Sequence, residues 1–257
     1  MSDRKTAIVT GASSGIGAAI AKDLALQGLN VVVNYSGNMD GATKIVRQCK
    51  ALGVDAEAVQ GDISEDADCR KLVQAAMDTW GRVDVLVNNA GVTRFAAAND
   101  LSALGADDFA RVFSVNVAGC YQMCRAAEAP LRAASGSIVN ISSHSGLSGI
   151  GSSIAYAASK GALNTMTLSL ARVFAPEVRV NAVCPGFVDT DWMAPKLESG
   201  ELADFKTKTA SIAPLGRIVT PEEVAEATRW FALGGPTITG QLLVIDGGTH
   251  LTVGAPL

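Results

Sequence analysis

Tyr156 and Lys160 stand four residues apart in Ala155-Tyr-Ala-Ala-Ser-Lys160. On a helix that spacing projects both side chains from one face. An ammonium held beside a phenol favours the phenolate, so the pair can exchange a proton with an alcohol or ketone oxygen. Ser143 lies 13 residues before Tyr156, just after the strand-like stretch 137–141, in Asn140-Ile-Ser-Ser-His-Ser-Gly146. Its hydroxyl can hold the same oxygen. Alone, a Tyr and a Lys at this spacing also describe an ordinary solvated helix face.

The N-terminus supplies the second half of the argument. Thr10-Gly-Ala-Ser-Ser-Gly-Ile-Gly17 joins the apolar run 7–9 to the Ala-rich segment 18–26, which reads as strand, glycine turn and helix. Glycines let a backbone take positive φ and approach a pyrophosphate closely, while the open N–H groups and positive dipole end of the helix face the anion. The spacing is G-x-x-x-G-x-G, matching the usual dinucleotide fingerprint in logic but not in letter.

Together these residues resemble the short-chain dehydrogenase/reductase family, in its compact form and close to the 3-oxoacyl-carrier-protein reductases. The resemblance runs through TGASSGIG at 10–17, Asp62 in GDIS, NNAG at 88–91, Asn116 in SVNVAG, the Ser143, Tyr156 and Lys160 set, PGFVDT at 185–190 and ITGQLLVIDGG at 238–248. It implies an NAD(P)-dependent oxidoreductase acting on a carbonyl or secondary alcohol, with Tyr156 as general acid/base, Ser143 on the substrate oxygen, and Lys160 also on the nicotinamide ribose. Asn116 is implied to anchor a water that links Lys160 to solvent. The cofactor-binding set is Gly11, Ser14, Gly15, Ile16, Gly17, Asn34, Tyr35, Ser36, Asp62, Ile63, Asn89, Ala90, Gly91, Tyr156, Lys160, Pro185, Gly186, Val188 and Thr190. Within it, Asp62 and Ile63 are implied to meet the adenine, Asn89 the adenosine ribose, and Val188 and Thr190 the nicotinamide end. Asp62 is also a natural turn residue before Ser64.

Cofactor choice is read at the end of the second strand, where an acid marks NAD users. Here Val33-Asn-Tyr-Ser-Gly37 puts Tyr35 in that place, and Asn34, Ser36 and Asn38 can donate to a 2′-phosphate. NADP(H) is therefore favoured over NAD(H), modestly, because neutral donors bind phosphate less strongly than charged ones.

Chain length and alternating patterns set the scaffold. The 257 residues are 48% apolar with net charge −4 and an isoelectric point of about 5.2, leaving no basic excess for nucleic acid or an anionic membrane. No apolar run reaches the roughly 18 residues that span a bilayer, and no secretory leader is recognisable, which predicts a cytoplasmic protein. The five cysteines read as reduced thiols, and Cys120 with Cys124 make a poor zinc site, so no metal is expected.

Strands are predicted over 6–10, 31–35, 56–60, 83–88, 137–141, 179–183 and 242–245, with helices over 15–27, 40–51, 65–80, 107–133, 156–174 and 221–233. That alternation predicts a three-layer, doubly wound α/β Rossmann fold: a seven-stranded parallel sheet with helices on both faces. The whole of 1–257 reads as a single NAD(P)-binding domain with a substrate lid at about 186–217. Trp192, Met193, Leu197 and Phe205, with Leu147 and Ile150, would give the lid side an apolar lining and favour a moderately apolar carbonyl substrate.

The helices 107–133 and 156–174 carry small and apolar residues over more than one face, among them Val115, Val117, Ala118, Ala157, Ala158, Leu163, Met166 and Leu170. The resemblance implies a homotetramer built on these helices and on the last strand with the tail 251–257. Arg111, Arg125, Arg132 and Arg172 are available to meet an acidic carrier protein. Two other readings remain open: a nicotinamide-sensing module without turnover, and a hydrolase in which Ser13 of G-x-S-x-G works with Asp246 and His250. The first would not need a proton relay, and the second lacks an oxyanion-hole loop ahead of Gly11.

Overall fold

The computed structural model describes residues 4–193 and 199–252. Its elements run β1 (Thr6–Val9), α1 (Gly15–Leu26), β2 (Asn30–Tyr35), α2 (Met39–Ala51), β3 (Ala56–Gln60), α3 (Asp66–Trp80), β4 (Val85–Asn88), α4 (Ala106–Phe113), α5 (Cys120–Ala133), β5 (Ser137–Ile141), a single turn α6 (Ser145–Ser148), α7 (Ile154–Phe174), β6 (Arg179–Pro185), α8 (Ser199–Ile212), α9 (Pro221–Leu233) and β7 (Leu242–Ile245). All seven strands pair in parallel in the order β3-β2-β1-β4-β5-β6-β7.

Alternation along the strands sorts the core into two layers. Ala7 and Val9 of β1, with Val31, Val33 and Tyr35 of β2, pack under α1, α2 and α9. Ile8, Val32, Leu86 and Ile138 face the other way, against α3, α5 and α7. Strands covered on both sides must be apolar throughout, as the runs in β1, β2 and β4 are. Each fully buried aliphatic side chain contributes about 1.5–3 kcal/mol relative to exposure.

Two expected elements differ. The helix expected over 107–133 is three pieces: α4, a π-helical stretch Ser114–Gly119, and α5. The widened stretch passes close to the loop after β3, where a Cβ on Gly119 would lie 2.9 Å from the Ile63 carbonyl oxygen. The segment 186–217, expected as a long loop, holds a 3₁₀ turn at Asp191–Met193 and the helix α8.

The side chains expected to face a partner subunit are mixed in burial. Val115, Ala157, Leu163 and Leu170 are buried within the chain itself, so they do not call for a partner. Ala118 and Ala158 are exposed. The larger apolar side chains left open on these helices are Phe109, Tyr121, Ile154, Leu168 and Val173.

All five cysteines are free and buried. Burial pushes the thiols of Cys69 and Cys124 up to about 12, and those of Cys49, Cys120 and Cys184 up to about 11. No helix among the described residues is long and apolar enough to cross a membrane.

Helix α9 starts where its letters say it should. Thr220 Oγ1 accepts from the Glu223 amide at 3.3 Å, and the Glu223 carboxylate accepts from the Thr220 amide at 2.9 Å, with Pro221 where no N–H is needed. Thr220→Ala removes one half of this reciprocal cap. It should cost about 1 kcal/mol, read as a lower urea midpoint with an unchanged slope.

Candidate active site

A cleft of about 1610 Å³ runs along the carboxyl ends of the strands. In a doubly wound sheet this edge, beside the divide between β1 and β4, is where ligands bind. Every residue expected at the site lines the cleft except two, Asn116 and Tyr35.

At one end lies the glycine turn. Gly11 and Gly15 take φ of +61° and +53°, which L side chains rarely adopt. A Cβ on Gly17 would come within 2.4 Å of the Gly11 carbonyl oxygen and 2.5 Å of Asn89 Nδ2. Ser14 caps α1 with no side-chain hydrogen bond, so the first amides of the helix, which have no partner within it, stay open toward the cleft. This is a cradle suited to a dinucleotide's pyrophosphate.

The turn is held by polar side chains from neighbouring strands. Thr10 Oγ1 accepts from the Asn89 and Ala90 amides at 2.9 and 3.0 Å. Asn89 Nδ2 donates to the Thr10 and Gly11 carbonyls at 2.9 and 3.1 Å. Asn34 Oδ1 accepts from the Gly11 amide at 3.0 Å, and its Nδ2 donates to the Gly61 carbonyl at 3.0 Å.

These contacts correct two expectations at the second strand. Asn34 is buried with its carboxamide committed to backbone, so it braces the turn and is not a free phosphate donor. Tyr35 is buried in the apolar layer beneath α1 and α2, because its place in the strand's alternation turns it inward. Asn38 Oδ1 caps α2 by accepting from the Gly41 amide. Ser36 alone of this group is exposed on the cleft wall.

Asp62 is a turn residue that also faces the cleft. It lines the cleft, and its carboxylate also accepts from the Ser64 amide and hydroxyl at 2.9 and 2.7 Å. Partial burial pushes its carboxyl up, but Ser64 and the nearby Arg111 guanidinium outweigh this and hold it below the usual range. Arg111 lines the cleft here, 3.4 Å from Asp62 Oδ2. The sequence does not announce that neighbour, since 49 residues separate the two. Arg125 and Arg132 are likewise engaged, with Asp66 and with Glu128 and Glu177.

At the other end, Ser143, Tyr156 and Lys160 converge. Ser153 Oγ accepts from the Tyr156 amide at 3.1 Å and caps α7, setting Tyr156 in the first turn of that helix, near its positive end. Lys160, one turn on, is buried; its Nζ donates to the Ile141 carbonyl at 2.8 Å and lies 5.6 Å from the Tyr156 ring centroid. Ser143 Oγ accepts from the Ser145 amide at 3.1 Å and lies 3.1 Å from Ser145 Oγ. Tyr156 is half-buried against the cleft.

Asn116 sits in the π-helical stretch and is wholly buried. Its Oδ1 accepts from the Val92 amide at 2.8 Å, while Nδ2 donates to the Val92 carbonyl and to Ser159 Oγ, both at 3.0 Å. The carboxamide thus braces this corner of the cleft. It ties the loop after β4 to the residue just before Lys160. A Cβ on Gly91 would lie 3.4 Å from Asn116 Oδ1 and 3.8 Å from Lys160 Nζ, so the three crowd one corner.

On the lid side Ile150, Phe187, Trp192 and Phe205 line the wall beside the polar Asp189, Asp191, Lys208 and Thr209. The Phe205 ring of α8 meets Phe187 edge-on with centroids 5.0 Å apart, and Lys206 pairs with Asp189 at 2.5 Å. Leu147 is exposed away from the cleft. Leu197 lies outside the described residues, as does the side chain of Met193.

The hydrolase arrangement does not assemble. Asp246 and His250 do pair, but they follow β7 at one edge of the sheet, while Ser13 follows β1, four strands away, with its carbonyl turned to Gly41.

The family profile described as Enoyl-(Acyl carrier protein) reductase matches residues 11–250. A Streptomyces violaceoruber protein named for a ketoacyl reductase of granaticin polyketide synthase is 42% identical over 246 residues, covering 95% of this chain and 96% of its own. A crystal structure from Burkholderia xenovorans, named for the short-chain dehydrogenases/reductases, superposes with a TM-score of 0.91 at 40% identity, over 98% of this chain and 100% of its own. The chain belongs to the short-chain dehydrogenase/reductase family.

Oxidoreductases of this family use NAD(P)H, and the glycine cradle described above fits such a group. Substrates within the family diverge at similar distance. The Eggerthella lenta protein named 3beta-hydroxysteroid dehydrogenase 1 is 37% identical over 254 residues, covering 97% of this chain and 95% of its own. Overall similarity therefore does not choose a substrate for this short-chain dehydrogenase/reductase; the cleft wall must.

Proposed function

We propose that this protein interconverts a moderately apolar ketone and its secondary alcohol, with Tyr156 as general acid/base and NADP(H) favoured over NAD(H). The observation that carries this reading is the convergence of Ser143, Tyr156 and Lys160 on the same cleft as the glycine cradle. The cradle residues 14–17, with Asp62, Ile63, Asn89, Val188 and Thr190, would hold the dinucleotide, whose nicotinamide supplies or accepts the hydride.

During reduction, negative charge builds on the substrate oxygen. The Ser143 hydroxyl stabilises that oxygen, and Tyr156 delivers the proton to it. Lys160, buried with its ammonium close to the ring, makes the phenolate left behind less costly. The first turn of α7 acts in the same direction, since its dipole favours negative charge. Asn116 is a positioning residue, fixing the loop after β4 against α7. The rings on the lid side favour apolar substituents. A 3-oxoacyl group on a carrier protein is one substrate of this kind, and the name of the Streptomyces relative supports it.

Tyr156→Phe keeps the ring and removes the transferable proton. Turnover of ketones should fall by roughly 100-fold or more with cofactor affinity nearly kept, while Lys160→Ala should lose both. Near-normal turnover in Tyr156→Phe would overturn the assignment.

Preference for NADP(H) rests on the absence of an acid at the end of β2 and on the exposed Ser36. Because Tyr35 is buried, Ser36 is the position to test. Ser36→Asp should swing the ratio of kcat/KM toward NAD(H) by repelling the 2′-phosphate, without any new attractive contact. A wild-type enzyme that clearly prefers NAD(H), or a Ser36→Asp variant that keeps its NADP(H) preference, would refute this reading.

We read the assembly as a homotetramer, supported by the exposed Phe109, Tyr121, Leu168 and Val173 on the α4, α5 and α7 faces. Equilibrium sedimentation at micromolar concentration should then return a four-chain mass. A single-chain mass would contradict it.

A further inference from the structure

One group of titratable side chains beside the cleft has no part in the proton transfer. His144 directly follows Ser143, and both residues line the cleft. Behind His144 stands Asp246, buried at the end of β7. Its carboxylate accepts from the Gly248 and His250 amides at 2.9 and 2.8 Å, and from His250 Nδ1 at 2.9 Å. His144 Nδ1 is fully buried without a hydrogen-bond partner and faces the same carboxylate, 3.9 Å from Asp246 Oδ2. Because 16% of the side chain is exposed while Nδ1 is sealed, only the rest of the ring, Nε2 included, is available to the cleft that His144 lines.

The tautomer follows from that surrounding charge. At 3.9 Å the carboxylate makes no hydrogen bond to the imidazole, yet its field acts on it. A proton on Nδ1 meets the carboxylate favourably, whereas a lone pair there would be repelled, so Nδ1 carries the proton of the neutral ring. Burial pushes the His144 imidazole below its ordinary range, Asp246 opposes this, and His250 across the carboxylate adds to the depression, so the ring is held neutral. A neutral imidazole protonated on Nδ1 presents a bare lone pair at Nε2.

The geometry points to His144 as a specificity-determining residue that accepts a hydrogen bond at Nε2 from a hydroxyl on the substrate, close to the reacting carbonyl. The substrate class is then hydroxyketones, and vicinal diols or related polyols in the oxidising direction. This rests on the ketone–alcohol reading of the site and narrows it. Both grips hang from consecutive residues, about 3.8 Å apart at Cα, which keeps them within reach of one small substrate. A ketone, ester or ether oxygen at the same place has no hydrogen to give and would set lone pair against lone pair.

The test is a comparison within one enzyme preparation, so that a loss of folded protein cancels. The probes are butanone, acetoin and the methyl ether of acetoin, together with cyclohexanone and its analogues carrying hydroxyl or methoxy on the adjacent carbon. The wild type should favour each hydroxyketone over both its parent ketone and its ether by roughly 10-fold or more in kcat/KM. In His144→Leu that ratio should collapse to near one, while His144→Gln, which keeps an acceptor oxygen, should retain part of it. Equal use of the hydroxyl and methoxy probes, or a hydroxyl preference that survives His144→Leu, would overturn the inference while leaving ketone reduction intact. No reduction of any probe with either cofactor would instead overturn the reading of the site on which the inference stands.

Discussion

The hydrogen-bond clamp across the divide between β1 and β4 is the constraint on which the rest of the site depends. Here the chain leaves two adjacent parallel strands toward opposite sides of the sheet, opening a crevice whose walls are backbone. Backbone alone would not keep a turn with two positive-φ glycines in one shape. Thr10 and Asn89 exchange four hydrogen bonds with the two loops, and Asn34 ties the same turn to β2 and β3. With these in place the amides at the start of α1 stay aimed into the cleft, and Gly17 can press against Asn89 because it has no side chain.

The opposite end of the cleft is organised from a single helix. Ser153 fixes where α7 begins, and that choice sets the rotation at which Tyr156 and Lys160 leave the helix. Lys160 is then drawn toward the strand by the Ile141 carbonyl, so strand β5 supplies both the anchor for the ammonium and, two residues on, Ser143. Asn116 reaches the same corner from the widened stretch between α4 and α5. A regular α-helix running from 107 to 133 would present its residues with a different phase, and π-type insertions recur where a side chain must be re-aimed.

Burial divides the polar residues of this edge into scaffold and surface. Asn34, Asn88, Asn116 and Asn140 are buried, and their amide groups are bonded to backbone or to buried side chains, with Asn88 Oδ1 left unpaired at a cost of about 1–3 kcal/mol. Ser36 and Asp62, by contrast, reach the cleft wall, and Asp62 is held ionised by Ser64 and Arg111 despite partial burial. Residue type says that such groups bond to something. Only their surroundings say whether that partner is the chain itself or a ligand.

Much of this was legible in the letters. Seven apolar runs alternating with helical patterns fixed the layered parallel sheet, because strands covered on both faces have no freedom to be polar. The spacing of Tyr156 and Lys160, the glycines at 11, 15 and 17, and the Thr220–Glu223 cap are local rules, and local rules are written in sequence. The tertiary structure decided what depends on distant partners. It bound Asn34 and Asn116 to backbone. It split the helix around the loop after β3, and it brought His144 to Asp246 across 102 residues of chain. Such outcomes follow from which side chains meet when the layers close, and no spacing along the chain encodes them.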